Sequence, residues 1–227
     1  MSSGAPSNDV PRTVSLTRGR FITLEGGEGA GKSTQVRLLA ESLRAAGIET
    51  VATREPGGAP GAEQIRALLV DGEVTRWDAM TEALLHSAAR REHLVHTVRP
   101  ALESGTWVVS DRFADSTLAY QGYGLGLGAE TVAALNRITI GDFSPDLTLI
   151  LDLPAEEGLK RAHARGDGAQ RYERMGIGFH EKLRRGFLEI ARGAPERCVV
   201  IDARPGVGEV AAAIRAIVRT RLEADIE

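Results

Sequence analysis

Short apolar runs alternate along the chain with stretches whose apolar positions recur every three or four residues. The runs are Phe21–Glu25, 49–54, Trp107–Asp111, Leu147–Asp152 and 197–202, all of strand length. After the first run, Val36, Leu39, Ala40 and Leu43 keep helical spacing until Ala46-Gly47 stops the pattern. Residues 82–102 and 179–191 read as amphipathic helices, the second with Phe179, Leu183 and Phe187 four apart. A last helix over 208–222 carries Val210, Ile214, Ile217 and Val218 on one face. Alternation of this kind predicts an α/β fold of βαβ units: a five-stranded parallel sheet covered by helices on both faces. Ligands then gather at the carboxyl ends of the strands. The predicted strands end there in Glu25, Arg54, Asp111 and Asp152.

Composition narrows the class. A chain of 227 residues with 42% hydrophobic and 26% charged residues is ordinary for a globular protein. The net charge of -3 argues against nucleic acid as a partner, which calls for a basic footprint. Cys198, the single cysteine, excludes an intrachain disulfide and lies in an apolar run, where a buried, inert thiol is expected. No stretch is long and apolar enough to span a bilayer, and residues 1–18 lack the hydrophobic core of a secretory signal. The expectation is a cytoplasmic protein with no membrane partner: a flexible leader over 1–18, then one domain over 19–227.

The first predicted strand runs into a helix through Gly26-Gly27-Glu28-Gly29-Ala30-Gly31-Lys32-Ser33, followed by Thr34. This fits G-x-x-x-x-G-K-[ST], the loop that cradles nucleotide phosphates, and sets the fold as that of P-loop NTPases. Backbone N–H groups and the positive end of the helix dipole face an anion there. Lys32 supplies a charge for the β/γ-phosphates, and Ser33 a hydroxyl for Mg²⁺. Residues 26–34 are therefore expected to bind ATP, with Ser33 as a metal ligand. A guanine-reading N-K-x-D segment does not occur, which argues against a GTP-driven switch.

Further segments say what accepts the phosphoryl group. The second strand ends in Arg54-Glu55-Pro56-Gly57-Gly58 and the third in Ser110-Asp111-Arg112-Phe113. Ser116-Thr117-Leu118-Ala119-Tyr120-Gln121-Gly122 follows, and the helix over 82–102 contains His86-Ser87-Ala88-Ala89-Arg90. In this order and spacing the chain resembles the thymidylate kinases, from about Phe21 to its end. The resemblance implies ATP-dependent phosphorylation of dTMP, ATP and Mg²⁺ as cofactors, and a homodimer. It implies that Arg54 and Arg112 hold the dTMP phosphate, with Asp111 near the metal. Glu28 would lie near the deoxyribose, and Tyr120 would pack on the sugar and disfavour a 2′-hydroxyl. Arg90, Thr117 and Gln121 would face the thymine edge. His86 departs from the family, which usually has a stacking phenylalanine there.

Physical chemistry points the same way. Joining two polyanions needs converging cations, and a phosphate acceptor, already dianionic near neutral pH, needs no base. A kinase acting on a sugar hydroxyl needs a carboxylate base, for which Glu55 and Asp111 are available, so a deoxynucleoside kinase is the alternative. A non-enzymatic ATP-binding module is a more remote one. Arg161 and Arg165 share a helix face, and Arg171 follows a glycine pair. Residues 161–172 form an expected lid in the style that supplies its arginine from there, with Arg165 catalytic beside Lys32, Arg112 and Asp111, and with Arg161 and Arg171 on ATP. Arg184, Arg185 and Arg192 read as solvated charges, and His93 and His96 as surface or interface residues. The glycine-rich 122–128 reads as a flexible connection between helices.

Overall fold

The computed structural model describes residues 18–164 and 171–226. Five strands, β1 (Phe21–Glu25), β2 (Thr50–Arg54), β3 (Trp107–Asp111), β4 (Leu147–Asp152) and β5 (Cys198–Asp202), pair in parallel in the order β2-β3-β1-β4-β5. Phe21 lies opposite Val108, and Ile22 opposite Leu147. The all-buried β1 and the almost wholly buried β4 hold interior places, as their unbroken apolar runs require. β2 and β5, which alternate in burial, form the edges.

Helices α1 (Lys32–Ala45) and α9 (Val207–Leu222) cover one face of the sheet, where Leu39, Leu43, Ile214 and Val218 meet Leu149 and Leu151. On the other face α4 (Arg99–Glu103), α5 (Ala114–Thr117) and α8 (Ile177–Gly193) pack around Phe21, Phe113, Ile150 and Phe187. Helices α2 (Pro60–Val70), α3 (Ala79–His93) and α6 (Ala129–Thr139) build the wall beyond β2 and β3, and α7 (Ala155–His163) follows β4.

The helix expected over 82–102 begins earlier, at Ala79, because Asp78 caps the amides of Met80 and Thr81 at 2.9 and 3.1 Å. It then passes through a π-helical turn, Leu94–Val98, into α4. A second π-helical turn, Leu118–Gly124, prolongs α5 and presents Tyr120 and Gln121 on one side. The glycine-rich stretch after it is a hydrogen-bonded winding, with Leu125, Leu127 and Gly128 N–H groups bound to Tyr120, Gln121 and Gly122 carbonyls. The chain passes from β1 to edge strand β2 on one side and later to β4 on the other. The carboxyl end of β1 is thus the point where connections diverge, and a crevice opens there.

Candidate active site

The loop from Gly26 to Ser33 leaves β1 at that crevice. Gly29 and Gly31 have φ of 68° and 88°, a region open to glycine. A Cβ on Gly29 would fall 2.0 Å from the Gly158 carbonyl oxygen of α7, and one on Gly158 2.4 Å from the Glu28 oxygen. Paired glycines let α7 lean directly on the loop, so position 29 has no room for a side chain, an arginine included. Lys32, buried in the first turn of α1, donates to the Gly27 carbonyl at 2.8 Å. Burial and the charge of Arg112 bring its pKa down to about 8, against the pull of Glu28, Asp111 and Glu25. Beside it Ser33 Oγ donates to Asp111 Oδ2 at 2.5 Å, joining loop and β3.

A cleft of about 390 Å³ opens from this loop. Arg54, Arg66 and Arg112 all line it, at the ends of β2 and β3 and on α2. Arg112 adopts φ 73°, unusual outside glycine, and its guanidinium fans across the cleft. It donates to the Gly26 carbonyl at 3.0 Å, Ser116 Oγ at 3.1 Å, Glu28 Oε1 at 3.2 Å and the Tyr120 oxygen at 2.7 Å. Tyr120 in turn donates to Glu28 Oε1 at 2.5 Å. Burial opposes the charge on Glu28, but Arg112, Lys32 and the Tyr120 hydroxyl outweigh it and hold the carboxyl below its ordinary range. Arg54, half exposed, shares its terminal nitrogen between both Glu63 oxygens at 3.2 Å. Arg66 donates to the Pro56 carbonyl at 2.7 Å, after a cis Glu55–Pro56 bond. Sequence reasoning missed Arg66; its one signal is the helix that directly follows the Arg54 turn.

A further stretch of the cleft wall comes from α3, from the π-helical turn after α5 and its approach, and from Tyr172. His86, Arg90, Thr117, Gln121 and Tyr172 line it. Arg90 is fully buried: Nε donates to Glu55 Oε2 at 2.9 Å, and a terminal nitrogen to Thr117 Oγ1 at 2.8 Å and the Phe113 carbonyl at 3.1 Å. His86 Nε2 lies 2.9 Å from the Tyr172 hydroxyl. Burial, then Arg90 and Arg112, depress its pKa to about 3, so the ring stays neutral near pH 7. Gln121 Nε2 donates to Glu82 Oε1 at 2.8 Å, and its Oε1 is buried with no partner.

Several expectations need correction. Glu55 is no free base: its Oε1 takes His93 Nδ1 at 2.9 Å and its Oε2 takes Arg90. His93 is wholly buried rather than superficial, with Nε2 2.8 Å from Thr53 Oγ1; His96 is exposed. Arg171, expected on ATP, is buried with its guanidinium committed to Glu82 Oε2 and to the carbonyls of Leu69, Glu73 and Val74. It pins the turn between α2 and α3 and does not line the cleft. Arg161, expected on ATP, stays partly exposed and donates to Glu157 and to the carbonyls of Ala203 and Arg204. Arg184 is paired with both Asp152 oxygens at 2.6 and 2.8 Å rather than merely solvated. Arg165 and the rest of 165–170, like residues 1–17 of the leader, lie outside the described residues. Among the described residues no cluster of His, Cys, Asp or Glu could hold a metal by itself, and Cys198 is buried, its thiol pushed up to about 11 by burial.

Residues 24–214 match the family described as Thymidylate kinase. A thymidylate kinase of Caulobacter vibrioides is 58% identical over 207 residues, 91% of this chain and 99% of that one. One from Nitrobacter hamburgensis is 53% identical over 211 residues, 92% of each chain. Among solved structures, the thymidylate kinase of Ehrlichia chaffeensis superposes with a TM-score of 0.70 at 36% identity, covering 88% of this chain and 99% of that one.

Proposed function

The chain belongs to the thymidylate kinase family, and we propose that it transfers the terminal phosphoryl group of ATP directly to dTMP, giving dTDP for dTTP synthesis. The observation that carries this reading is one cleft shared by the phosphate loop, by Arg54, Arg66 and Arg112, and by a wall of His86, Arg90, Thr117, Gln121 and Tyr172. The loop amides and Lys32 would grip the ATP phosphates. Arg112 lies between that loop and Tyr120, so it would span donor and acceptor and stabilise charge on the phosphoryl group in flight. Arg54, with Arg66 beside it, would hold the dTMP phosphate. Tyr120, braced by Glu28, would close the space a 2′-hydroxyl needs. Thr117, Arg90 and Gln121 would read the thymine edge, and His86 would offer its ring face.

Ser33 and Asp111 bring two hard oxygen donors together at the loop, a set that suits Mg²⁺. When bound there, Mg²⁺ would neutralise developing charge on the β- and γ-phosphate oxygens. A carboxylate base for a sugar hydroxyl finds no support, since Glu55 is tied to Arg90 and His93, and Asp111 to Ser33. Among the described residues no helix is long and apolar enough to cross a membrane, and a cytoplasmic location is part of this reading. So is a homodimer through α3, where Met80 and Leu84 are exposed; light scattering tests it. The deciding assay is ADP release on adding dTMP, dUMP, UMP, CMP or thymidine in turn. Turnover with dTMP well above the rest is expected; turnover with thymidine and not dTMP overturns the proposal.

A further inference from the structure

Glu25 ends β1, is wholly buried and does not line the cleft, whereas Arg112, Phe113 and Ser116, which follow β3, do. Both of its oxygens reach that segment: Oε1 accepts the Phe113 N–H at 2.7 Å, and Oε2 lies 2.6 Å from Ser116 Oγ. Ser116 Oγ in turn accepts a terminal N–H of Arg112 at 3.1 Å. The Arg112–Phe113 peptide is held at its other end too, where Ser110 Oγ donates to the Arg112 carbonyl at 2.8 Å. Arg112 has φ 73°, a conformation that costs a non-glycine residue free energy and persists only where its surroundings impose it. One carboxyl group thus grips Arg112 twice, at the backbone through the next amide and at the guanidinium through a hydroxyl.

We propose that Glu25 is a positioning residue for the phosphoryl transfer: through the Phe113 amide and Ser116 it holds Arg112 spread across the cleft. The part Arg112 plays in that transfer is the functional reading above, on which this inference rests. Burial, then the charge of Asp115, push the Glu25 carboxyl up to about 8, and the grip survives either protonation state. Ionised, the carboxylate accepts from both partners. Protonated at Oε2, it donates to Ser116 Oγ, whose two lone pairs still leave one for Arg112. The contacts, and not the charge, do the positioning.

Glu25→Met removes both contacts at similar volume, and Ser116→Ala removes the hydroxyl between Glu25 and Arg112. Each should lower kcat for dTMP at least tenfold with the KM values for ATP and dTMP changed less than about threefold, because Arg112 acts on the phosphoryl group in flight. Glu25→Gln, which keeps an acceptor for Phe113 and offers Ser116 a donor as the protonated acid does, should restore kcat to within about threefold of the unaltered enzyme. The double variant Glu25→Met/Ser116→Ala should be no more than about threefold slower than the slower single one, since both cut the same connection. Unaltered kcat in Ser116→Ala, Glu25→Gln as slow as Glu25→Met, or a double variant whose loss is the product of the two single losses each overturns the proposal. Should Glu25→Met not fold, Glu25→Asp replaces it: the charge stays but the carboxyl is drawn back by one methylene, and kcat equal to the parent's overturns the proposal. An unaltered protein that does not phosphorylate dTMP sinks the functional reading and this inference with it, whereas an active parent with indifferent variants sinks this inference alone.

Discussion

Replacing Glu55 by Gln separates a structural carboxylate from a catalytic one. In the native protein the side chains of Glu55, Arg90 and His93 are at most 4% exposed, and each Glu55 oxygen receives a hydrogen bond of 2.9 Å. The substitution keeps the shape and one acceptor but removes the negative charge. Arg90 then keeps only neutral acceptors: the Phe113 carbonyl, Thr117 Oγ1 and, at 3.5 Å, Asn136 Oδ1. Breaking a buried pair while its cation stays costs about 3–5 kcal/mol. The remaining hydrogen bonds put Glu55→Gln near the lower figure, a large share of the roughly 5–15 kcal/mol that stabilises an ordinary protein.

For a domain of this length about 3 kcal/mol lowers the melting temperature by roughly 6–12 °C. Circular dichroism melts and denaturant titrations at unchanged m-value should read that loss, and kcat for dTMP at 25 °C should stay within about tenfold of the unaltered enzyme. A carboxylate that removes a proton from a sugar hydroxyl behaves in the opposite way. Its loss cuts kcat by about 10²–10⁴ and leaves stability alone. A variant that melts within a degree or two of the parent and turns over at a thousandth of its rate would refute the structural assignment and revive the sugar-kinase alternative.

Lys32, with a pKa of about 8 in the free protein, must be charged to hold phosphate, so ATP affinity should be flat below neutrality and fall as pH rises through that value. Between pH 8 and 9 the loss is about fivefold, with proton uptake seen by calorimetry in buffers of different ionisation heat; affinity constant to pH 9.5 contradicts it. His86, held near 3, should leave the KM for dTMP free of any inflection between pH 5.5 and 7.5, and an inflection near 6.5 that vanishes in His86→Phe would show a titrating ring. Arg171→Met strands the buried Glu82 carboxylate and should cost about 3–5 kcal/mol in urea unfolding with the KM for ATP unchanged; normal stability with a raised ATP KM returns Arg171 to the nucleotide.

The strands were legible in the chain almost to the residue, because β1 and β4 sit between neighbours and had to be apolar on both faces. The phosphate loop was legible for a local reason: its conformation is written in four glycines within six residues, Gly26, Gly27, Gly29 and Gly31. Helix α2 was not, since it buries only Ala62 and Leu69 and gives a faint periodic signal; Arg66 went unseen with it. Some arginines were misjudged because their partner is remote. Arg171 meets Glu82, 89 residues away, and no pattern around either residue announces a buried pair. His93 likewise looked superficial until Glu55, 38 residues distant, came to face it.

Those remote acids sort the chain's cations into two kinds. Arg90 and Arg171 meet carboxylates that are almost wholly buried, and the Arg197–Asp115 pair has a similarly sheltered acid, 8% exposed. Such pairs gain their hydrogen bonds at folding, and an incoming anion would have to displace a desolvated carboxylate, which is strongly unfavourable. Arg54 and Arg112 meet Glu63 and Glu28, which are 42% and 14% exposed at the edge of the cleft. On the proposed function, a phosphate dianion arriving at Arg54 would offer more charge than Glu63, and that acid, already 42% exposed, could turn toward water at small cost, whereas Glu28 is held by Tyr120 as well as by Arg112. On that reading Glu63 would act as a placeholder that keeps Arg54 ordered before a polyanion arrives, while Glu28 would stay and keep Arg112 spread across the cleft. The net charge of -3 and a cleft whose lining cations outnumber its carboxylates are two sides of one arrangement. Excess acid elsewhere fixes the structural arginines, and the half-exposed Arg54–Glu63 pair would leave its cation exchangeable where the proposed reaction brings two phosphate chains together.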